Sequence, residues 1–334
     1  MIERELTETV SLTAGDGRVL NLDAVGWARR PLVDTSRLAR RDVGRNKRWE
    51  YWNVTTPTHI LALTVSSLDY AAVHEVWVFD RLTERSWGRT ATVLPARDVT
   101  LPPNLGSGPA RARAKGIAID IDPLPEGGTR LRATLTGSAS FDVTVARRAD
   151  HDCLAVVVPW SRRRFQYTVK DLALPAAGVV VIEGVEHAVP AGQSWAVLDH
   201  GRGRWPYDAS WNWGAGSGLS DGRTIGLQVG GQWTDGTGST ENGMLVDGRM
   251  HKISDELRWE YDLARPLMPW SVSGGGLEAS FVPFYDKRSS TNLGVVSART
   301  EQFFGHWAGR FTAGDVDIEF ADLLGWAEDV HNRW

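Results

Sequence analysis

Apolar and polar residues alternate with a period of two along most of this chain, in short runs broken by turn signals about every ten residues. That period puts successive side chains on opposite faces of a strand and cannot build a helix stripe. The expected strands are 59–65, 75–80, 116–121, 129–135, 141–146, 154–160, 165–169 and 179–182 in the first half. In the second half they are 195–198, 224–229, 243–246, 249–253, 257–261, 277–283, 293–298 and 306–311. The pairs Asp16-Gly17, Asp221-Gly222 and Asp247-Gly248 supply the positive φ angles of tight hairpins. An all-β sandwich or barrel follows. One stretch departs from the rhythm: Phe320, Leu323, Leu324 and Ala327 stand at i, i+3, i+4 and i+7, which predicts a short C-terminal helix across an open end.

The pattern repeats. Trp49-Glu50-Tyr51-Trp52, the apolar run 61–65 and Val78-Phe79-Asp80 are echoed by Trp211-Asn212-Trp213, the run 225–229 and Leu245-Val246-Asp247, at an offset of about 160 residues. Two related β domains in tandem are expected, 1–165 and 166–334, with the second carrying the main candidate site.

Composition narrows the function classes. Hydrophobic residues make up 42%, charged residues 23%, and the net charge is −4, which excludes a disordered chain and a transmembrane bundle. The single cysteine, Cys153, cannot close an intramolecular disulfide and sits in an apolar run. With no signal-peptide pattern in residues 1–10 and no apolar run of membrane-spanning length, a cytoplasmic protein without an integral membrane segment is expected. Arg29, Arg30, Arg37, Arg40, Arg41, Arg45, Lys47 and Arg48 form a basic stretch. In an acidic chain without a nucleic-acid motif it reads as a solvated loop, so no nucleic-acid partner is expected.

Several motifs fail on context. Gly218-Leu219-Ser220-Asp221-Gly222 fits G-x-S-x-G but falls on an Asp-Gly turn, with no helix to follow. The glycines at 214–218 and 230–231 lack the strand, helix and distal acid of a dinucleotide site. The histidines show no H-x-x-x-H pair, and His151 with Cys153 alone is a poor metal site. Neither a cofactor nor a metal is expected, and the oligomeric state is left open.

Tryptophan supplies the positive signal. The chain holds 16, and seven lie between Trp195 and Trp270, interleaved with ionisable residues. Indoles lining a barrel would enclose an apolar or unsaturated ligand, and their π faces would stabilise positive charge passing over them. The expected ligand-binding set is Trp205, Tyr207, Trp211, Trp213, Trp233, Asn242 and Arg204, Arg204 serving an anionic head group. A hairpin centred on Gly238 would oppose Asp235 and Glu241 with β-carbons about 5 Å apart, where either one carboxyl keeps its proton and serves as an acid or a cation sits between the two. Asp199-His200 at a strand end is the second catalytic candidate.

Longer strings carry a resemblance. Pro159-Trp160-Ser161, Arg164-Phe165-Gln166, Gly201-Arg202-Gly203-Arg204-Trp205-Pro206-Tyr207, Trp211-Asn212-Trp213, Trp233-Thr234-Asp235-Gly236-Thr237-Gly238 and Asp322-Leu323-Leu324-Gly325-Trp326-Ala327-Glu328 resemble the domain of unknown function 2804 family. More distantly, the run 178–184 leading to Asp199-His200 is similar to lipocalin-like tandem-barrel proteins, a set with carotenoid 1,2-hydratases, tocopherol cyclases and the ceramide-linked survival factor group. The resemblance implies two lipocalin-like antiparallel β-barrels in tandem and a lipophilic small-molecule ligand, isoprenoid- or acyl-like. Three classes stand. The first is a cofactor-independent enzyme of proton-dependent hydration, cyclisation or isomerisation; the second is a non-catalytic lipid carrier. The third is a carbohydrate-active protein using a Trp platform and paired carboxylates.

Overall fold

Burial alternates without a break along Leu131–Leu135 and Ala139–Val145, the signature of strands with one face in a core. The computed structural model describes residues 3–38, 45–292 and 296–334; Arg40, Arg41 and Leu293 lie outside the described residues. Two antiparallel sheets hold most of the chain. In order across the first sheet, the strands are Val99–Thr100, Ala110–Ala114, Ile117–Pro123, Thr129–Leu135, Ala139–Val145, Arg164–Ile182, Trp195–Arg204, Asn46–Thr55, His59–Ser67, Ala72–Asp80 and Arg85–Val93. The second runs Arg249–Ile253, Asn242–Val246, Arg223–Gly231, Asp208–Ser220, Val316–Arg333, Ser297–Ala313, Leu277–Asn292, Trp270–Gly274 and Arg258–Glu260.

The two orders share a plan. In each sheet a four-strand meander comes first, and its opening strand pairs with the last strand of the same sheet: Asn46–Thr55 with Trp195–Arg204, and Asp208–Ser220 with Val316–Arg333. This is the tandem lipocalin-like all-β architecture, each sheet curled into a half-barrel around its own core. The chain changes sheet between Arg204 and Asp208, beyond the 165/166 division read from the sequence. The half-length echo marks where each meander begins, whereas the strands that complete the first sheet come last in its sequence.

The expected C-terminal helix is not present: Phe320 to Ala327 belong to the strand Val316–Arg333. Asp322 has φ 56°, and the ladder to Ser297–Ala313 shifts register between Trp307 and Gly309. A one-residue bulge of this kind changes the phase of the alternation. Ile318 and Phe320 before it, and Leu323 and Ala327 after it, therefore face one core, which imitates a helical stripe. Among the described residues the helical element is one 3-10 turn, Leu22–Ala24. Elsewhere the turn chemistry holds: Asp221 and Gly222 at φ 48° and 76° join Ser220 to Arg223 in a two-residue hairpin.

Three apolar cores divide the main body. One fills the first half-barrel around Trp52, Leu63, Ile119 and Phe141, and one the second around Trp270, Phe281, Trp307 and Phe311. The third lies between the sheets and gathers Tyr51, Trp77, Phe79, Trp205, Trp213, Phe304 and Trp326. Residues 3–38 pack Leu12, Leu20 and Val33 against Phe165 and Tyr167 of the first sheet.

On the first sheet's face toward the junction, Trp49 lies across its ladder partner Gly201, which has no side chain. A β-carbon at that position would lie 2.2 Å from Trp49 Cζ2. We expect Gly201→Ala to displace the Trp49 indole and to lower stability by about 1–3 kcal/mol. Urea unfolding monitored by Trp fluorescence checks this; an unchanged midpoint contradicts the packing.

Candidate active site between the sheets

The strand Arg164–Ile182 opens with Gln166, Thr168 and Lys170 alternating with Phe165, Tyr167 and Val169. Its polar face turns to the second sheet, while Tyr167 and Val169 pack on the N-terminal segment. At Asp171 to Leu174 the register slips, with Ala173 at φ 49°. This bulge bends the strand and returns Leu174 and Ala176 to the first core.

Lys170 is buried at 4% exposure. Its Nζ lies 3.1 Å from Asp199 Oδ1, 3.4 Å from Glu241 Oε2 and 3.8 Å from the centre of the Trp213 ring. Burial works against its charge, but Asp199 and Glu241 outweigh it and hold the ammonium above its ordinary value. Asp199 comes from the neighbouring strand, opposite Lys170 in the ladder. Glu241 and Glu328 come from the second sheet's side.

Each of these buried carboxylates receives an indole N–H: Trp49 donates to Asp199 at 2.9 Å, Trp233 to Glu241 at 2.8 Å and Trp211 to Glu328 at 2.9 Å. Gln302 donates to the other oxygen of Glu328 at 3.0 Å. One cation serves three acids here. Burial raises Glu328 to about 7, with Asp199 adding to the rise and Trp211, Lys170 and Gln302 opposing it. Glu241 is also raised, by burial and by Asp199, against the pull of Lys170. A carboxyl poised near neutrality in an apolar surround is a proton donor in form.

Indoles roof the site. Trp205 stacks on Trp233 at 5.5 Å and meets Trp49, Trp160, Trp211 and Trp334 at centroid distances of 4.9–5.9 Å. Its own N–H donates to Gln166 at 2.7 Å, and that of Trp213 to Gln228 at 2.9 Å. Trp49, Trp160, Trp211 and Trp334 are half-buried and form the rim.

Of the residues singled out in the sequence, Asp199, Glu241, Trp205, Trp211, Trp213 and Trp233 come together here. Asp235 does not join Glu241. The ladder after Asp221-Gly222 ends at Gln228 opposite Gly243, and 232–241 form a turn-rich loop in place of a tight hairpin. Glu241 turns inward over Gly230, whose missing side chain makes room for it, while Asp235 is exposed, raised by partial burial and by Glu256. Asn242 ties the loop, accepting from Gly230 N at 2.6 Å and donating to Asp255 O.

His200 adjoins Asp199 in sequence but takes the opposite face of the strand. It lies 3.7 Å from Glu50, which also meets Arg202 at 3.5 Å. Burial lowers His200 to about 4, aided by Arg202 and opposed by Glu50, so its imidazole is neutral at pH 7. Arg204 is buried at the end of that strand, and Tyr207 is exposed. Beside this group, within the first half-barrel, is a cavity of about 190 Å³ lined by Glu50, Trp52, Asp171, Leu174 and Leu198 among others. Cys153 borders it, its thiol pushed up by burial.

Lys170 and Glu328 escaped the sequence reading. The polar alternation 166, 168, 170 inside an otherwise apolar strand was the available signal for Lys170. Glu328 sat in a stretch read as helical. Among the described residues no three His, Cys, Asp or Glu side chains are grouped to hold a metal ion, and no helix is long and apolar enough to cross a membrane.

Because Glu328 rises on folding, the stability linked to its proton is full below pH 4.5 and is lost as pH climbs through about 7. Across that window the stability of the native chain should fall relative to Glu328→Gln, by on the order of 3 kcal/mol. Denaturant unfolding of both at several pH values measures it; parallel profiles refute the raised carboxyl. Lys170→Met leaves the carboxylates uncompensated and should cost about 3–5 kcal/mol at pH 8, with a smaller loss at pH 5.

Solved structures place the fold. A protein from Nitrosomonas europaea provisionally named AttH aligns with 85% of this chain and 92% of its own at 13% identity and TM-score 0.55. Kievitone hydratase from Nectria haematococca aligns with 87% and 89% at 11% identity and TM-score 0.52. CghA, solved with Sch210972, gives the same coverage and identity at TM-score 0.55. No curated protein matched the sequence. The model of the domain of unknown function 2804 matches residues 3–334, and the chain belongs to that family.

Proposed function

We propose that this protein binds a lipophilic, unsaturated small molecule at the junction of its two half-barrels and delivers a proton to a carbon–carbon double bond, leading to hydration, cyclisation or isomerisation. The observation that carries this reading is Glu328: a buried carboxyl raised to about 7, linked through Trp211 to a roof of indoles. Protonation of an alkene needs a buried acid that still carries its proton near neutral pH and a surround that tolerates a cation. Glu328 supplies the first, and the π faces of Trp205, Trp211 and Trp213 the second. Lys170 is in contact with Asp199 and Glu241 and not with Glu328, so the proton is held where burial is least compensated. The ligand enters by parting the Trp160, Trp211 and Trp334 rim. Hydratase chemistry named for a protein of similar fold, kievitone hydratase, agrees with this assignment.

A carrier without chemistry is the second reading, favoured by the separate cavity in the first half-barrel, with apolar walls from Trp52, Ile121, Val145 and Leu198.

Incubation of the protein with geraniol, farnesol and oleic acid in D₂O, followed by mass spectrometry, separates the two. Proton delivery predicts deuterium at an olefinic carbon of at least one compound, a rate that declines as pH rises through about 7, and a loss of about 100-fold or more in Glu328→Gln. Binding without deuterium uptake supports the carrier; equal uptake in Glu328→Gln removes Glu328 from the reaction.

A further inference from the structure

The chain contains five lysines against 32 arginines, and one of the five has an unusual place. Lys47 opens the strand Asn46–Thr55, opposite Gly203 and two residues before Trp49, on the face that turns to the second sheet. It is fully buried. Its Nζ lies 5.2 Å from the centre of the Tyr70 ring and 4.8 Å from that of Trp334, and it has no hydrogen-bond partner among the described residues. The two ring faces favour the ammonium, but burial without an acceptor works against it and prevails. Trp334 in turn packs on Trp205 and Trp211, and Trp211 donates to Glu328. The amine and the acid therefore bracket one continuous layer of indoles.

We infer that Lys47 is a covalent anchor for an aldehyde or ketone, forming a Schiff base with the carbonyl end of a ligand that lies along the tryptophan layer. The amine lone pair adds to the carbonyl carbon and the C–O π pair moves to oxygen. A proton passes from nitrogen to that oxygen, giving a carbinolamine. The nitrogen lone pair then forms the C=N bond as the C–O bond breaks, and the remaining N–H proton passes to the departing hydroxide, which leaves as water. No oxidant or reductant is consumed. Burial lowers Lys47 to about 7, against Asp69 and with Arg45, so about half its amines are free at pH 7. A lysine at its ordinary value has fewer than about one in a thousand free. Arginine could not take this role, because it does not deprotonate. The inference specifies the substrate class of the proposed reaction as an unsaturated carbonyl compound. It rests on that reading for the fate of the double bond, but not for the adduct itself.

The test uses cinnamaldehyde as probe, with cinnamyl alcohol as control, at pH 7 in the presence of sodium cyanoborohydride, which reduces the C=N bond and fixes the adduct. Peptide mapping should find label on Lys47 at least about 10-fold above the exposed Lys115 and half-exposed Lys287, and none with the alcohol. Lys47→Arg and Lys47→Met, checked by thermal unfolding, should each lose that label. Absence of label at Lys47 in the folded protein, or label no greater there than at Lys115, overturns the inference. Failure of the proton-transfer reading has a different signature: no deuterium uptake, with Lys47 still labelled in Glu328→Gln.

Discussion

The junction of this protein turns on a shortage of positive charge. Lys170 is in direct contact with Asp199 and Glu241, and Glu328 stands in the same buried space without a cation of its own. Charges drawn from water into such a place are tolerated when they pair closely and their remaining lone pairs are satisfied. A carboxylate with no cation in contact is not, and the cheapest relief is a proton. Burial assigns that proton to Glu328, which is held by neutral donors, Trp211 and Gln302.

The same electrostatics are tied to packing through the indoles. Each buried Trp removes roughly 200 Å² from water, about 5 kcal/mol of gross driving force, so the junction would close on area alone. Area has no direction, however. The N–H groups of Trp49, Trp211 and Trp233 must each find an acceptor once buried, and the acceptors belong to both sheets: Asp199 to the first, Glu328 to the second, and Glu241 to the loop leading into Asn242–Val246. Each of those bonds stays within one sheet or its loop; the ties that cross between the half-barrels are Lys170 to Glu241, the Trp160 N–H to Trp233 O and the Ala173 N–H to Ser217 Oγ. Glycine completes the fit, since Gly201 admits Trp49 and Gly230 admits Glu241.

Much of this was legible in the sequence. Period-two alternation and Asp-Gly turns announce the strands, and the Trp echo announces the tandem plan. The tryptophans around 205–233 group with Asp199 and Glu241 as expected, but between the two sheets and not inside a barrel. What was illegible has a common cause: a bulge changes the face to which a residue belongs. At Asp322 it turned strand alternation into apparent helical spacing and hid Glu328; at Ala173 it lets one long strand serve two cores. The expected opposition of Asp235 and Glu241 failed for a related reason. Symmetry about Gly238 presumes that pairing continues to the loop tip, and here it stops at Gln228 and Gly243.

The strand Trp195–Arg204 shows why sequence neighbours need not be functional neighbours. Asp199 and His200 are consecutive, yet one completes the junction and the other faces Glu50 beside the first half-barrel cavity. On the junction face burial, with Asp199 adding to it, lifts Glu328 to about 7. On the opposite face Arg202 and burial drive His200 down to about 4, while His200 and Arg202 hold the buried Glu50 carboxyl below its usual range. A single β-strand thus separates a proton-rich environment from one in which the histidine is neutral and the glutamate charged. The cavity of the first half-barrel borders a carboxylate paired with Arg202, whereas the junction holds a carboxyl raised by burial to about 7.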